Sequence, residues 1–191
     1  GQLQIDSNSH FLQMRETSGS SARDIIVRGN VVDNFGSYIM QAGSIDNTYM
    51  YSNTYNRINM QNAGQNMSVV GYLELAAVPP GTGSVNINNI YTNNPNNRLF
   101  DDQDNGWDTI VKSNNLCFNS PNDRSCITGD PLYVSVSAND FTIRSGSPAI
   151  GRASSITTVT SASGSGTTFN VAESGFFTAG YGFVEGDLIS V

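Results

Sequence analysis

Short apolar runs interrupted by asparagine recur through the first two thirds of the chain. The pattern is apolar-x-x-Asn-x-apolar, and its copies span 27–32, 50–55, 85–90 and 111–116. Their asparagines are Asn30, Asn53, Asn88 and Asn114, separated by 23, 35 and 26 residues. Each copy predicts two short strands with alternating faces that meet at the asparagine. Self-similarity at this spacing is typical of a repeat architecture.

The repeat predicts an all-β solenoid whose coils contain three short strands, with asparagine and glycine at the corners. Stacking the coils at the strand spacing of ~4.8 Å places the four asparagines above one another. Their side-chain amides then hydrogen-bond along the stack, while the apolar positions form interior ladders. An antiparallel sandwich with asparagine-rich turns is the alternative.

Two stretches between the copies are longer than the others. They cover about 66–83 and 93–108, and we interpret them as insertions in the coils. Insertions in a repeat protein emerge as loops, usually on one face. We therefore expect them to form the walls of a groove that suits an extended polymer.

Composition agrees with a turn-rich β protein and excludes several functions. The 191 residues include 23 Asn and 19 Gly, which disfavour helix interiors. The chain has nine Lys and Arg residues and 16 Asp and Glu residues, which give a net charge of −7. Because the basic residues form no cluster, nucleic acid is not an expected partner. No apolar window is long enough to predict a membrane span, and the first residues lack the features of a signal peptide.

Three short motifs follow one another after the last repeat, at 129–134, 139–144 and 146–151. Asp130-Pro131 predicts a turn, and Asp140-Phe141 predicts the start of a short strand. Ser147 to Ile150 would close a last coil. Together they resemble the final-coil motif of right-handed parallel β-helix proteins of the pectate-lyase-like superfamily.

That resemblance covers about residues 25–152 and implies a right-handed parallel β-helix. Many members of the superfamily are secreted polysaccharide lyases, hydrolases and epimerases, so it also implies a polysaccharide ligand. The acidic and histidine set of polygalacturonases is absent at matching positions. The resemblance therefore implies the fold and the ligand class without naming a reaction.

We expect two parts: β-helix coils over 1–152 and, over 153–191, a Ser/Thr/Gly-rich linker with a partial β module as a short C-terminal β appendage. The chain begins and ends within apolar segments. From this we expect either a fragment of a longer chain or a subunit whose open coil ends are covered by self-association, since an uncovered edge strand is an aggregation hazard.

The residue after the first apolar position of each repeat is predicted to point outward, in one column. These residues are Arg28, Tyr51, Asn86 and Lys112. A lyase acting on uronic acids needs a base and positive charge that stabilises the developing enolate. Arg28 and Lys112 are candidates for both roles, with Tyr51 as proton donor and Asn86 as a substrate-binding amide. Simple solvation of the column is the alternative, and hydrolysis by paired carboxylates such as Asp33 and Asp46 is a lesser one.

An acidic loop follows the third repeat. Asp102, Asp104 and Asp108 alternate around Gly106 with a spacing that Ca²⁺ loops use, although the distal Glu of an EF-hand is missing. The loop predicts a possible Ca²⁺ site, with a solvent-exposed turn as the alternative. Trp107 is a candidate for stacking on a sugar ring or for anchoring the loop.

Cys117 and Cys126 leave two outcomes open, a local disulfide or two buried thiols. The combined expectation is a protein outside the cell or on its surface that binds a uronate-containing polysaccharide in a groove along the β-helix, with cleavage by β-elimination left open. A carbohydrate-binding or adhesin part without catalysis, and a structural subunit that stacks end to end, are the alternatives.

Overall fold

Three parallel sheets contain most of the strands in the computed structural model. The structure describes residues 11–13, 22–42, 44–63, 68–73, 81–101, 106–124, 126–161, 168–183 and 185–188. Sheet A consists of β1 (Leu12–Gln13), β4 (Met40–Ala42), β7 (Ser68–Leu73) and β10 (Arg98–Asp101). Sheet B consists of β2 (Ala22–Arg28), β5 (Ile45–Tyr51), β8 (Val85–Ile87) and β11 (Val111–Ser113). Sheet C consists of β3 (Val31–Phe35), β6 (Thr54–Ile58), β9 (Ile90–Thr92), β12 (Asn115–Phe118) and β13 (Cys126–Thr128).

Successive strands visit the three sheets in the fixed order A, B, C. Each strand from β4 to β12 therefore pairs, in parallel, with the strand three places earlier. The expected all-β class with parallel pairing is confirmed. The alternative of an antiparallel sandwich is wrong for these sheets.

The corner between sheets B and C repeats one backbone conformation. Gly29, Ser52, Asn88 and Asn114 all have positive φ, at 63°, 56°, 58° and 52°. Glycine has no Cβ to clash there, and asparagine adopts this region more readily than most residues. The chain thus turns within one or two residues, and the residue that follows enters sheet C.

An asparagine ladder lies directly after this corner. The amide of Asn30 donates to Asn53 Oδ1 at 2.9 Å, Asn53 to Asn89 Oδ1 at 3.0 Å, and Asn89 to Asn115 Oδ1 at 3.2 Å. The predicted stacking is thus correct for the first two members and wrong for Asn88 and Asn114, which occupy the left-handed corner instead. In both Asn-Asn pairs the first residue makes the turn, and the second directs its amide into the ladder.

The predicted insertions contain strands of sheet A. Strand β7 lies within 66–83, and β10 lies within 93–108. Their sequences, SVVGYL and RLFD, are short and include glycine or charged residues, so period-2 alternation is weak. The interpretation of both stretches as loops alone is therefore wrong.

The apolar core combines residues from all three sheets. Val27 and Met50 of sheet B, Val32 of sheet C and Met40 and Phe100 of sheet A belong to one buried cluster. Tyr55 and Tyr91 pack in the same cluster, with ring centroids 5.4 Å apart and planes inclined by 20°. Burial raises the pKa of both phenols well above the usual value.

The two stacked tyrosines predict opposite effects of losing a hydroxyl. Tyr91 donates to Asn86 Oδ1 at 3.0 Å, whereas the buried Tyr55 hydroxyl has no hydrogen-bond partner among the described residues. We expect Tyr55→Phe to raise the free energy of unfolding by about 1 kcal/mol and Tyr91→Phe to lower it by about 1 kcal/mol. Urea denaturation of both variants measures this difference. Equal destabilisation of the two would contradict the assignment.

A disulfide joins Cys117 and Cys126, which settles the two outcomes left open by the sequence. Cys117 lies in β12, and Cys126 begins β13, the neighbouring strand of sheet C. The bond closes the loop through which the chain joins β13 to the sheet, so it stabilises the last strand of sheet C by restricting the unfolded chain.

The segment after sheet C forms an antiparallel hairpin of β14 (Tyr133–Ser135) and β15 (Asp140–Ile143). Asp130 Oδ1 accepts a hydrogen bond from the Leu132 amide at 2.8 Å, as the predicted turn requires. The predicted strand at Asp140 is confirmed. Residues 148–152 form turns.

The chain divides into two compact units, Gly1–Ala153 and Ser154–Val191, one residue after the expected boundary. In its described residues, the second unit has an antiparallel bridge between Val159 and Val171 and a 3-10 turn at Gly180–Gly182. No helix in the described part of the chain has the length and apolarity to cross a membrane.

Candidate functional site

Long connections are concentrated at the ends of the strands of sheet A. Between sheets B and C the chain uses only 29–30, 52–53, 88–89 and 114. Among the strands of sheets A, B and C, the connections of eight or more residues are 14–21, 59–67, 74–84 and 102–110, and each enters or leaves a strand of sheet A. The chain therefore keeps the corner between sheets B and C short and places its extra sequence at the two corners that adjoin sheet A.

Two registered columns run across sheet A. Leu12, Met40, Gly71 and Phe100 align along the first column. Met40 and Phe100 are in the buried core, so this column faces inward. Gln13, Gln41, Tyr72 and Asp101 align in the next position of each strand, and Gln41 is partly exposed. The sequence pattern did not indicate this column, because the pattern is centred on the asparagines. They lie at the corner between sheets B and C, opposite sheet A.

Arg28 and Tyr51 lie together, as predicted. They are paired in register, and the Arg28 guanidinium donates to the Tyr51 hydroxyl at 3.0 Å. Tyr51 is only 5% exposed. Its phenol is therefore held by a neighbouring cation and is largely inaccessible to a polymer on the surface.

Asn86 and Lys112 occupy a different column from Arg28 and Tyr51. Met50 pairs with Asn86, which pairs with Lys112, whereas Tyr51 pairs with Ile87. The prediction that all four residues form one outward column is therefore wrong. Counted from the corner, the strands of Asn86 and Lys112 are shifted by one register position from the strands of Arg28 and Tyr51. The spacing of the repeats in the sequence does not show this shift.

Asn86 is an interior residue with 0% exposure. Its Oδ1 accepts from Tyr91 at 3.0 Å and from the Asn89 amide at 3.2 Å, and its own amide lies 3.8 Å from the Met50 sulfur. These contacts satisfy a polar group inside the apolar core. They leave it out of reach of a ligand on the outer surface.

Lys112 ends the inward column of sheet B. Its Nζ lies 5.0 Å from the centre of the Phe100 ring, the last member of the inward column of sheet A. A cation over an aromatic face is attracted by the ring quadrupole. At the last strands the apolar core therefore ends with the charged side chain of Lys112. A charge at this position disfavours addition of a further coil.

A cleft of about 370 Å³ opens beside Lys112. Arg98, Phe100, Asn122 and Asp123 also line it. Arg98 and Phe100 come from β10, and Lys112 comes from β11, so the cleft lies at the last strands of sheets A and B. Arg98 was not among the predicted site residues, because its strand was hidden in a presumed loop.

The acidic loop is described only in part. Asp102 and Asp104 lie outside the described residues, and Asp108 is exposed in the 3-10 turn Gly106–Thr109. Trp107 belongs to the same turn, but its side chain lies outside the described part of the structure. Among the described residues no three His, Cys, Asp or Glu side chains come close enough to hold a metal ion.

Asp33 and Asp46 have structural partners. Burial would raise the pKa of Asp33, but hydrogen bonds from Arg57 and Asn56 outweigh burial and hold the pKa below its usual value. Asp46 accepts from the Thr82 amide at 2.7 Å and forms an ion pair with Arg23. The two carboxylates belong to different sheets, which does not support paired-carboxylate hydrolysis.

A second cleft of about 290 Å³ includes Asp130, Tyr133 and Arg144 of the hairpin segment. Burial raises the pKa of Tyr133 to about 12, although the nearby Thr92 and Thr54 act in the opposite direction. The guanidinium of Arg144 donates to the Val134 carbonyl. These polar groups serve the hairpin itself, so this cleft is a weaker candidate than the first.

Comparisons of the chain with protein-family models, curated proteins and solved structures found no match.

Proposed function

We propose that residues 1–152 form a right-handed parallel β-helix whose sheet A binds an extended extracellular polysaccharide. The cyclic order of the strands, their parallel pairing and the shared core all support winding of the chain into coils. The repeated left-handed corners and the asparagine ladder support the same winding.

One observation carries the choice of ligand surface: every long connection borders sheet A. Insertions in repeat proteins usually emerge on one face, and functional residues are concentrated on such loops. In this sheet Gln41 is partly exposed, and the backbone positions of Gln13, Tyr72 and Asp101 are in register with it. Sugar hydroxyls hydrogen-bond to these residue types without requiring a strong net charge.

Binding is better supported than cleavage by the predicted residues. β-Elimination needs a base, a proton donor and positive charge around one sugar unit. Arg28 and Tyr51 are paired with each other near the first coils. Lys112 is in the last strand of sheet B, and its ammonium lies over the Phe100 ring. The proposal is therefore a carbohydrate-binding function in which these three residues do not act together on a substrate.

A location outside the cell or on its surface is part of the proposal. Disulfides persist mainly in oxidising compartments, and the Cys117–Cys126 bond is compatible with such a location. Polysaccharides of cell walls and matrices are found there. End-to-end stacking receives less support, because Lys112 ends the inward column at the last strand of sheet B.

Affinity electrophoresis through gels containing acidic or neutral polysaccharides tests the proposal. We expect the wild-type protein to be retarded, without release of unsaturated products that absorb in the ultraviolet. Gln41→Ala should weaken retardation about fivefold, because one lost hydrogen bond is worth about 1 kcal/mol. Val31→Ala is the matched control, since Val31 is 57% exposed on sheet C. Unretarded migration in every gel would overturn the proposal.

A further inference from the structure

We propose that the connection 119–125 between β12 and β13 is a redox-controlled cap. It closes the last end of the core while Cys117 and Cys126 are joined, and it opens that end when they are reduced. We call this connection the disulfide loop, and its residues 119–124 belong to the described part of the chain. Polysaccharide binding is a separate property, because the disulfide loop closes the core and does not belong to sheet A.

The disulfide loop takes the place of a complete turn of the chain. The earlier connections between neighbouring strands of sheet C are 36–53, 59–89 and 93–114, and each contains one strand of sheet A and one of sheet B. The disulfide loop joins the next two neighbours, β12 and β13, without a strand of either sheet. At this end of the stack, β10 and β11 therefore have no further described strand beside them.

The loop passes beside the last strands of the other two sheets. Asn122 and Asp123 line one cleft together with Phe100 of sheet A and Lys112 of sheet B. Burial is the main cause that raises the pKa of the Tyr91 phenol in the core, and the Asp123 carboxylate adds a smaller contribution. A loop that starts in sheet C and reaches both other sheets therefore lies across the end of the core that they share.

The disulfide is the strongest constraint on this path. Strand β13 contains only three residues, Cys126–Thr128, which pair with β12. The Asn122 amide donates to Thr128 Oγ1 at 2.9 Å, but both side chains are exposed to water. Exposed hydrogen bonds and short edge strands contribute little by themselves. Without the covalent bond, we expect β13 and the loop to open locally while the earlier coils keep their pairing.

The bond is accessible from one side, since Cys117 is 2% exposed and Cys126 is partly exposed. A dithiol reductant supplies the two electrons. One of its thiolates attacks the Cys126 sulfur, the S–S bond breaks, and Cys117 leaves as a thiolate that takes up a proton. The second thiol of the reductant then releases Cys126, so that both cysteines become thiols and the reductant becomes a cyclic disulfide. Oxidation in the reverse direction closes the loop.

Closure protects the last end of the stack. An uncovered end exposes apolar core side chains and free strand edges, which promote association between copies. The Lys112 ammonium lies over the Phe100 ring at 5.0 Å, and the disulfide loop lies beside them. Formation of the bond in an oxidising compartment completes this protection.

Hydrogen–deuterium exchange of folded wild-type protein, measured by mass spectrometry with and without dithiothreitol, tests the proposal. Reduction should speed amide exchange in peptides covering 118–128 at least about tenfold, because removing the cross-link makes local opening easier. Exchange in β5 and β6, which lie farther from this end, should stay unchanged. Equal acceleration in all coils would show that the bond stabilises the whole fold and would overturn the cap. Unchanged exchange over 118–128 would overturn it as well.

Two variants separate the bond from other effects. Cys117→Ala combined with Cys126→Ala should show the fast exchange without reductant, and dithiothreitol should not change it further. Asn122→Ala removes a loop side chain but leaves the disulfide in place, so exchange should change less than about threefold. The disulfide does not control the cap if Asn122→Ala opens the loop as fully as reduction does, or if reductant still accelerates exchange in the double variant. Reduction of folded wild-type protein remains decisive even if the double variant does not fold.

Discussion

Asn53→Ala is expected to lower the free energy of unfolding by about 3 kcal/mol. Asn53 is 1% exposed, and its side chain takes part in four hydrogen bonds. Its amide donates to the Val27 carbonyl and to Asn89 Oδ1, and its Oδ1 accepts from the backbone and the side chain of Asn30. Alanine would leave several of these buried partners unsatisfied, each at a cost of roughly 1–3 kcal/mol. Urea denaturation measures the loss.

Asn30→Ala provides the matched comparison at the end of the same ladder. Asn30 is partly exposed, so water can replace the hydrogen bonds of its side chain to the Arg28 carbonyl and to Asn53. We expect a loss of about 1 kcal/mol. If both alanine variants unfold at the same urea concentration, the buried part of the ladder contributes no more than the exposed end, and its proposed role is wrong.

Gly71→Ala is expected to be similarly severe, for a steric reason. A Cβ at position 71 would lie 2.1 Å from the Met40 carbonyl oxygen, which belongs to the backbone of the neighbouring strand. Gly71 also pairs with Phe100 where β7 and β10 change register. Because backbone has to move in sheet A, we expect a loss of about 3 kcal/mol and weaker polysaccharide binding.

Gly29→Ala distinguishes steric exclusion from backbone conformation. Gly29 has a φ of 63°, but a Cβ there meets no atom within 4 Å. Alanine in the left-handed region costs about 1 kcal/mol, and sheet A is not affected. Thermal and urea unfolding, together with the polysaccharide-binding assay, compare Gly29→Ala with Gly71→Ala. A smaller loss for Gly71→Ala than for Gly29→Ala would show that β4 and β7 are not packed as closely as described.

Much of the fold was predictable because asparagine has two local properties. It adopts the left-handed corner at low cost, and its amide can both donate and accept along a stack. The recurrence of Asn30 and Asn53 therefore predicted short parallel strands and a ladder. Adjacent asparagines at 88–89 and 114–115 were assigned one residue early, because only the first member of each pair satisfies the sequence pattern. The residues three positions before Asn89 and Asn115 are Asn86 and Lys112, which are not apolar.

The candidate site was much less predictable. Side-chain direction depends on register, and a shift of one residue moves a side chain to the opposite face of a strand. Asn86 accordingly lies in the core, and Arg28 and Lys112 are in different columns. Arg98 escaped notice because its strand is short and polar and follows a segment rich in asparagine and proline.

Sequence alone determined the all-β class, the positions of the first two ladder asparagines and the strand at Asp140, because each depends on a few adjacent residues. Tertiary structure alone decided that sheet A exists, which residues face inward and that Lys112 approaches Phe100. These features arise from pairing between strand positions about 23 to 36 residues apart. Local sequence does not encode such pairing, because its register is selected by how well the side chains of all three sheets fill one core.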